Sequence, residues 1–186
     1  MNNCFTLHQL QANSSPAVLE SVRKLYCHSF PREERRDWNV WLKILEQDAR
    51  FRVLYLSTES YPLAGFISLW DFASLVYGEH FAIQPELRNS GLGRQVLQVT
   101  AEQLGNRPLV IEVEPPYTEF AKRRIAFYKR NGFEIVQEEY LQPPYWEDSP
   151  QVPLFLMSNR DVSESVLSYA IRSIYQAVAH PSFLKK

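Results

Sequence analysis

Two rhythms of apolar residues run along this chain. Phe5–Leu10 alternates weakly, as a first strand does. From Pro16 to Phe30 the apolar positions Val18, Leu19, Val22, Leu25 and Tyr26 recur at helical spacing, and Pro31 ends the run. Trp38, Trp41, Leu42 and Leu45 extend the helical rhythm, so a second helix is predicted over Arg32–Gln47. Phe51–Leu56 and Leu63–Asp71 read as a hairpin across the polar turn Ser57–Tyr61, and Ser74–Ile83 as the next strand. A helix is predicted over Gly91–Leu104, a strand over Leu109–Val113 and a helix over Glu119–Asn131. Strands follow over Glu134–Tyr140 and Val152–Ser158. Asp161-Val-Ser-Glu164 then has the form of a capping box, with Asp161 accepting from the third N–H and Glu164 reaching back. Val162, Val166, Leu167, Ala170, Ile171, Ile174 and Val178 mark an amphipathic helix that ends near His180-Pro181. Such a helix either covers the domain's own surface or meets a second subunit, so a monomer or a homodimer is expected.

Within this β-αα-βββ-α-β-α-ββ order, residues 81–98 carry a distinct chemistry. An apolar strand runs into a turn at Pro85, and Arg88-Asn-Ser-Gly91-Leu-Gly93-Arg94 leads into the helix. The N–H groups of a helix start and its dipole, about half a positive charge, make an anion site. Glycines at positions 91 and 93 let a phosphate approach the backbone, and Arg88 and Arg94 add charge. A dinucleotide fingerprint needs a third glycine, and a P-loop needs Gly-Lys-Ser/Thr. Neither is present. Taken alone, the segment is also compatible with a capped turn whose glycines are incidental.

A second segment narrows the choice. Leu109-Val-Ile-Glu-Val-Glu-Pro-Pro116 is a buried strand stopped by a double proline. The helix after it ends at Gly132, an expected left-handed cap, with Phe133 packing behind. The first segment resembles the Arg/Gln-x-x-Gly-x-Gly/Ala pyrophosphate loop of the GNAT acetyltransferases. Phe127-Tyr128-x-x-x-Gly132-Phe133 is similar to their second signature, in the right order along the chain. The resemblance covers about residues 1–158, with 159–186 as a helical extension of the same domain. SFPREERR, EVEPP, RRIAFY and QPPY further resemble a bacterial branch of the family. The fold implied is α/β (α+β): a mixed central sheet with a splayed parallel strand pair, plus the extra C-terminal helix. The activity implied is transfer of an acetyl group from acetyl-CoA directly to a primary amine, on a small molecule first and on a protein N-terminus or lysine second. A non-catalytic acyl-CoA sensor is a third reading.

The resemblance also assigns candidate residues. Coenzyme A is expected on Arg88, Asn89, Ser90, Gly91, Leu92, Gly93 and Arg94, with its pantetheine arm paired to the backbone of Phe81, Ala82 and Ile83. An N–H between Glu79 and Ile83 would face the thioester oxygen. Two positions depart from the family pattern. Ala121 stands where an Asn is usual, and Arg124 where an Ala is usual. Arg124 is expected to reach a phosphate or else to belong to a solvated basic face. Only about one lysine-like amine in a thousand is neutral at pH 7, so the acceptor needs a base or a site that selects the neutral form. Glu79 is the candidate base, and its other reading is a sheet-face carboxylate paired to an arginine. Alternation puts Tyr77, Glu79, Phe81 and Ile83 on one face and turns His80 away, into the core. Tyr128 is the candidate donor to the departing thiolate, its other reading being core packing. Phe30, Arg32, Tyr77, Glu112 and Glu114 are the acceptor-side candidates, with Asp71 adding to an acidic mouth and Arg35 or Arg36 offering a contact for an anionic acceptor.

Composition adds bounds. The chain has 186 residues, enough for one domain with a core at 45% hydrophobic and 13% aromatic content. A net charge of −1 gives no global field toward nucleic acid or a membrane. No apolar run reaches the roughly 18 residues of a membrane span. The start Met-Asn-Asn-Cys-Phe has no secretory pattern, so a cytoplasmic location is expected, with Cys4 and Cys27 as reduced thiols. The four histidines are scattered, so no metal is expected.

Overall fold

A computed structural model describes residues 5–179. Cys4, His180 and Pro181 therefore lie outside the described residues. The elements are β1 (Thr6–Leu10), α1 (Pro16–Ser29), α2 (Trp38–Gln47), β2 (Phe51–Ser57), β3 (Gly65–Asp71), β4 (Val76–Ile83), α3 (Leu92–Leu104), β5 (Leu109–Val113), α4 (Glu119–Arg130), β6 (Glu134–Gln142), β7 (Val152–Ser158) and α5 (Glu164–Val178). Their order is the predicted one. The strands belong to a seven-stranded mixed sheet, in which β4 and β5 run parallel across the connection that holds α3. The chain divides into two compact units, residues 5–71 with 78–99 and residues 72–77 with 100–179.

In the first unit the strand order is β1-β2-β3-β4. Antiparallel pairing sets Leu10 opposite Val53 and Val53 opposite Ser68. Six consecutive residues of β3, Gly65–Trp70, are buried, so this strand is covered on both faces. On one side an aromatic layer forms. Trp41 packs 5.6 Å from Tyr26 and 5.6 Å from Phe51, and Phe51 lies 4.8 Å from Trp70. Phe5, Leu56, Ala64, Leu92 and Val96 form a separate cluster, with Phe81, Ile83 and Leu87 packed against it.

The second helix starts later than its apolar rhythm predicts. Arg32–Glu34 is only a 3₁₀ turn, and α2 begins at Trp38. Two contacts explain this. The Asp37 carboxylate accepts from the N–H groups of Asn39 and Val40 and caps the helix there. The Arg36 N–H donates to the Tyr26 hydroxyl at 2.9 Å, which takes it out of any helical ladder.

In the second unit β5, β7 and β6 pair antiparallel in that order, with register shifts in β6 on either side of Gln137. Helix α5 begins at Glu164, and its cap is Ser163, which accepts from Val166 N–H, rather than Asp161. The Ser158 hydroxyl donates to Arg160 C=O and accepts from Arg160 N–H, which holds residues 158–160 in a turn and delays the helix. Ala170, Ile174 and Val178 are buried. Tyr169 donates to Phe72 C=O and Tyr175 to Leu141 C=O, so α5 covers the surface of its own unit.

One close approach fixes β3 against β4. A Cβ on Gly65 would lie 2.5 Å from the Ala82 carbonyl and 2.8 Å from Ile83 Cδ1. Gly65→Ala is therefore expected to destabilise the fold by about 1–3 kcal/mol, as overpacking does. Urea unfolding measures this, and an unchanged midpoint would show that β4 yields without strain.

Candidate active site

Each unit contributes its own set of functional side chains. In the first, the residues after β4 form a 3₁₀ turn, Pro85–Leu87, with Pro85 at its first position. The Arg88 N–H donates to Pro85 C=O and the Arg88 side chain to Ile83 C=O, both at 3.2 Å. The Ser90 hydroxyl donates to Leu87 C=O at 2.7 Å and accepts from Leu92 N–H. Asn89 and Gly91 take positive φ angles of 63° and 84°. A Cβ on Gly91 would meet nothing within 4 Å, so the glycine is there for its backbone conformation and the space above it is open. Arg88, Asn89, Ser90, Gly91 and Arg94 are exposed, whereas the Leu92 side chain is buried in the core cluster. With Gly93 and Arg94 in the first turn of α3, the turn leads straight into a helix start, where the first N–H groups have no partner within the helix. Ala82 is buried, and Phe81 and Ile83, partly buried, pack against the core cluster.

Earlier in β4, Glu79 lies in a fully buried ion pair with Arg36, their side chains 0% and 5% exposed. Trp70 donates its indole N–H to the other carboxylate oxygen at 3.0 Å. Burial alone would raise the Glu79 carboxyl. The Arg36 guanidinium, with His80, more than offsets burial and holds it well below the usual carboxylate range. Of the two readings of Glu79, the geometry displays the carboxylate paired to an arginine.

His80 is buried, as expected, but it does not turn away from Glu79. Its Nδ1 lies 3.6 Å from the Glu79 carboxylate, and its Nε2 is 3.0 Å from Glu34 C=O. A carbonyl only accepts, so Nε2 carries a proton. Consecutive side chains thus reach the same stretch, Glu34–Arg36, and strict alternation fails here. The rings of Tyr26 and Phe30 stand edge-on to His80 at 4.9 and 4.6 Å. Phe30 therefore joins the Glu79 surroundings, while Arg32 is exposed. Asp71 is held by Arg52 at 3.4 Å.

In the second unit the Phe-Tyr-x-x-x-Gly-Phe signature is the C-terminal end of α4. Gly132 takes φ 83°, and the Phe133 N–H returns to Tyr128 C=O at 3.1 Å. The Tyr128 ring is held between Phe127 at 5.3 Å and Phe133 at 5.5 Å. Burial pushes its hydroxyl up to about 12, with Arg124 opposing and Glu114 adding to the rise. Tyr128 is thus a neutral donor at physiological pH. Arg124 pairs with Glu114 at 2.5 Å and lies over the Phe120 ring at 4.7 Å. Glu112 accepts from Tyr140 at 2.5 Å and from Gln142 at 2.6 Å. Tyr77 is fully buried.

Trp70, Ser68 and Tyr26 around β4, and Tyr140 and Gln142 around Glu112, escaped the sequence reading. Only Trp70 left a signal, since a tryptophan at an inward strand position needs an acceptor for its N–H.

Comparison with known proteins identifies the family. A family model described as the GNAT acetyltransferase domain matches residues 47–135. The structure of a Bacteroides thetaiotaomicron protein, described as an acetyltransferase of the GNAT family, is 33% identical. That match covers 93% of this chain and 97% of the other, with a TM-score of 0.82. The chain belongs to the GNAT acetyltransferases. Two further acetyltransferase structures share its fold at lower identity. The ribosomal-protein-S18-alanine N-acetyltransferase of Escherichia coli is 20% identical, covering 86% of this chain and 97% of that one at a TM-score of 0.59. The spermidine N-acetyltransferase of Vibrio cholerae, in complex with CoA and spermine, is 16% identical. There the match covers 89% and 98%, at a TM-score of 0.60. No curated protein matches the sequence. Among the described residues, no helix of this GNAT acetyltransferase is long and apolar enough to cross a membrane.

The buried pair yields a prediction. Arg36→Met should cost about 3–5 kcal/mol at pH 7, because it leaves Glu79 buried without its cation. In the wild type the lowered Glu79 pKa stabilises the fold above the unfolded carboxylate range, and that stabilisation is lost as pH falls below it. In the variant the bare carboxyl is raised instead, so its deficit should shrink on acidification toward pH 5. Arg36→Met/Glu79→Gln should regain much of the loss. A deficit independent of pH, measured by urea unfolding, would argue against an ion pair.

Proposed function

We propose that this GNAT acetyltransferase moves an acetyl group from acetyl-CoA directly to the primary amine of a small molecule. The observation that carries the reading is the exposed Arg88–Arg94 turn, whose positive-φ glycine and helix start suit a pyrophosphate. Arg88 and Arg94 supply charge, the N–H groups of Gly93 and Arg94 bind, and the backbone of Phe81–Ile83 pairs with the pantetheine arm. The acceptor nitrogen attacks the thioester carbon. The C–N bond forms, the C–S bond breaks, and the sulfur departs with the electron pair.

Tyr128 acts on that sulfur. Its hydroxyl, near 12, is far less acidic than a thiol near 8.5. Full proton transfer would be uphill by roughly 5 kcal/mol, so Tyr128 stabilises the thiolate by a hydrogen bond and solvent supplies the proton. Glu79 serves as a fixed anchor in this reading. A carboxylate held low by Arg36 is a weak proton acceptor, so the site takes the neutral amine and water removes the proton. Phe30, Arg32, Glu112 and Glu114 are the acceptor contacts.

The test is incubation with acetyl-CoA and a panel of polyamines, amino acids and short peptides, read by thiol release and product mass. Acetylated small amines support the reading. Products from peptides alone would replace it with protein acetylation. Calorimetric binding of acetyl-CoA with no product from any amine would replace it with a sensor role.

Two variants probe the chemistry. Tyr128→Phe should lower kcat by about 10²–10³ and leave coenzyme affinity unchanged, as loss of a donor used only in the transition state does. A loss under about threefold would leave Tyr128 as a packing residue. Arg36→Met/Glu79→Gln, which strands no buried charge, should leave the shape of the pH–rate profile unaltered, with the rate rising as the amine loses its proton. Loss of a rate inflection would restore Glu79 as the base.

A further inference from the structure

The second unit holds one buried polar atom that its fold leaves unused. Gln142, at the end of β6, is 4% exposed. Its amide nitrogen donates to the Glu112 carboxylate at 2.6 Å. A carboxylate only accepts, so the nitrogen has to face Glu112 and the carbonyl oxygen, Oε1, has to point away from it. Among the described residues, nothing donates to Oε1. A buried acceptor left unmet keeps its full cost of desolvation, and native folds hold few of them. This one is fixed in place by the bond its own nitrogen makes.

Strand register builds the surroundings. β7 sets Leu156 opposite Glu112, Leu154 opposite Tyr140 and Val152 opposite Gln142. Alternate residues of β7 share one face of the sheet, so Glu112, Tyr140 and Gln142 share it too, with the buried Leu154 and Leu156 as an apolar floor. The Tyr140 hydroxyl donates to Glu112 at 2.5 Å, and its ring meets the Tyr175 ring edge-on at 6.4 Å. The Tyr175 hydroxyl donates to Leu141 C=O at 2.6 Å and accepts from Gln151 at 3.0 Å. Helix α5 thereby pins the residue next to Gln142, and the cluster is ordered before any ligand arrives.

A ligand for this place is defined by what it must bring. It must donate a hydrogen bond to Oε1. It must also suit the negative charge of Glu112, to which the Tyr140 hydroxyl and the Gln142 amide bring no charge. An ammonium group does both, since its N–H bonds reach an acceptor oxygen and its charge is favourable beside a carboxylate and tyrosine rings. We propose that Gln142 and Glu112 bind the ammonium head of a primary amine, with one N–H donated to Gln142 Oε1 and the charge facing Glu112. As a contact for the acceptor, the site rests on the acetyl-transfer reading above, to which it adds Gln142 as the residue that reads the N–H bonds. As a binding site it lies wholly within the second unit. A quaternary ammonium has the charge without the N–H, and an alcohol has a donor without the charge. Gln142 therefore selects against the first and Glu112 against the second.

Calorimetry on the full chain with butylammonium, butyltrimethylammonium and butanol tests it, and the Gln142 side-chain amide signals in proton–nitrogen correlation spectra give the location. Butylammonium should shift those signals saturably and bind at least about tenfold more tightly than either other compound, the scale of one hydrogen bond to a charged group. Gln142→Met keeps the length of the side chain and removes the carbonyl. It should weaken butylammonium about tenfold and abolish its advantage over butyltrimethylammonium. The same swap takes a donor from Glu112, which strengthens the hold of the carboxylate on a cation, so a fall in affinity reads the carbonyl. Gln142→Glu keeps an oxygen at that position and should retain binding, and thermal midpoints of both variants separate lost binding from lost folding. Unmoved Gln142 signals, or equal affinity of the wild type for the primary and quaternary ions, would overturn the inference without need of any variant. Acetylated small amines in that case would leave the proposed function standing, with its acceptor held elsewhere. Butylammonium bound at Gln142 with no transfer to any amine would keep this site and remove the acetyl-transfer reading.

Discussion

The first unit is organised around one buried charge. Glu79 on β4 cannot stay ionised in the core without a cation and hydrogen bonds, because an isolated buried carboxylate is far costlier than a paired one. Arg36 and the Trp70 indole meet that demand. The pair draws Glu34–Arg36 onto the strand, where His80 adds a hydrogen bond to Glu34 C=O and Tyr26 accepts the Arg36 N–H. The same contacts explain why α2 starts at Trp38. A loop that would otherwise continue a helix is spent on satisfying a charge.

That arrangement separates two jobs a glutamate can hold. A general base must give its proton up near the working pH, so its environment should raise a carboxyl toward neutrality. The surroundings of Glu79 do the reverse. Tyr128 shows the complementary case, a hydroxyl that burial keeps protonated and hence able to donate. Environment, more than residue type, divides the roles between them.

Much of this was legible in the sequence because the signals are local. The Arg88–Arg94 turn and the Tyr128–Phe133 helix end are each specified within a few residues, by glycines whose φ angles came out positive at 91 and 132. Strand β5 and its stop at Pro115 were read correctly for the same reason. What escaped was long-range. Arg36 and Glu79 are 43 positions apart, so no period or motif links them. The helical rhythm across Arg32–Gln47 was real, but the Tyr26 hydroxyl ten residues back overrode it. At Asp161 the capping pattern fitted two registers, and the turn made by Ser158 selected the later one. Alternation misplaced His80 because two neighbouring side chains share one partner segment.

The buried pair also shapes how this sequence can drift. Either residue alone is worse than neither, since each single replacement strands a charge while a joint apolar or neutral replacement strands none. Positions 36 and 79 are therefore expected to be inherited as one character. A lineage that abandons the salt link must cross an intermediate of low fitness or change both codons within a short interval. Homologues should accordingly fall into two groups, those with both charges and those with neither, and few chains should stand between them.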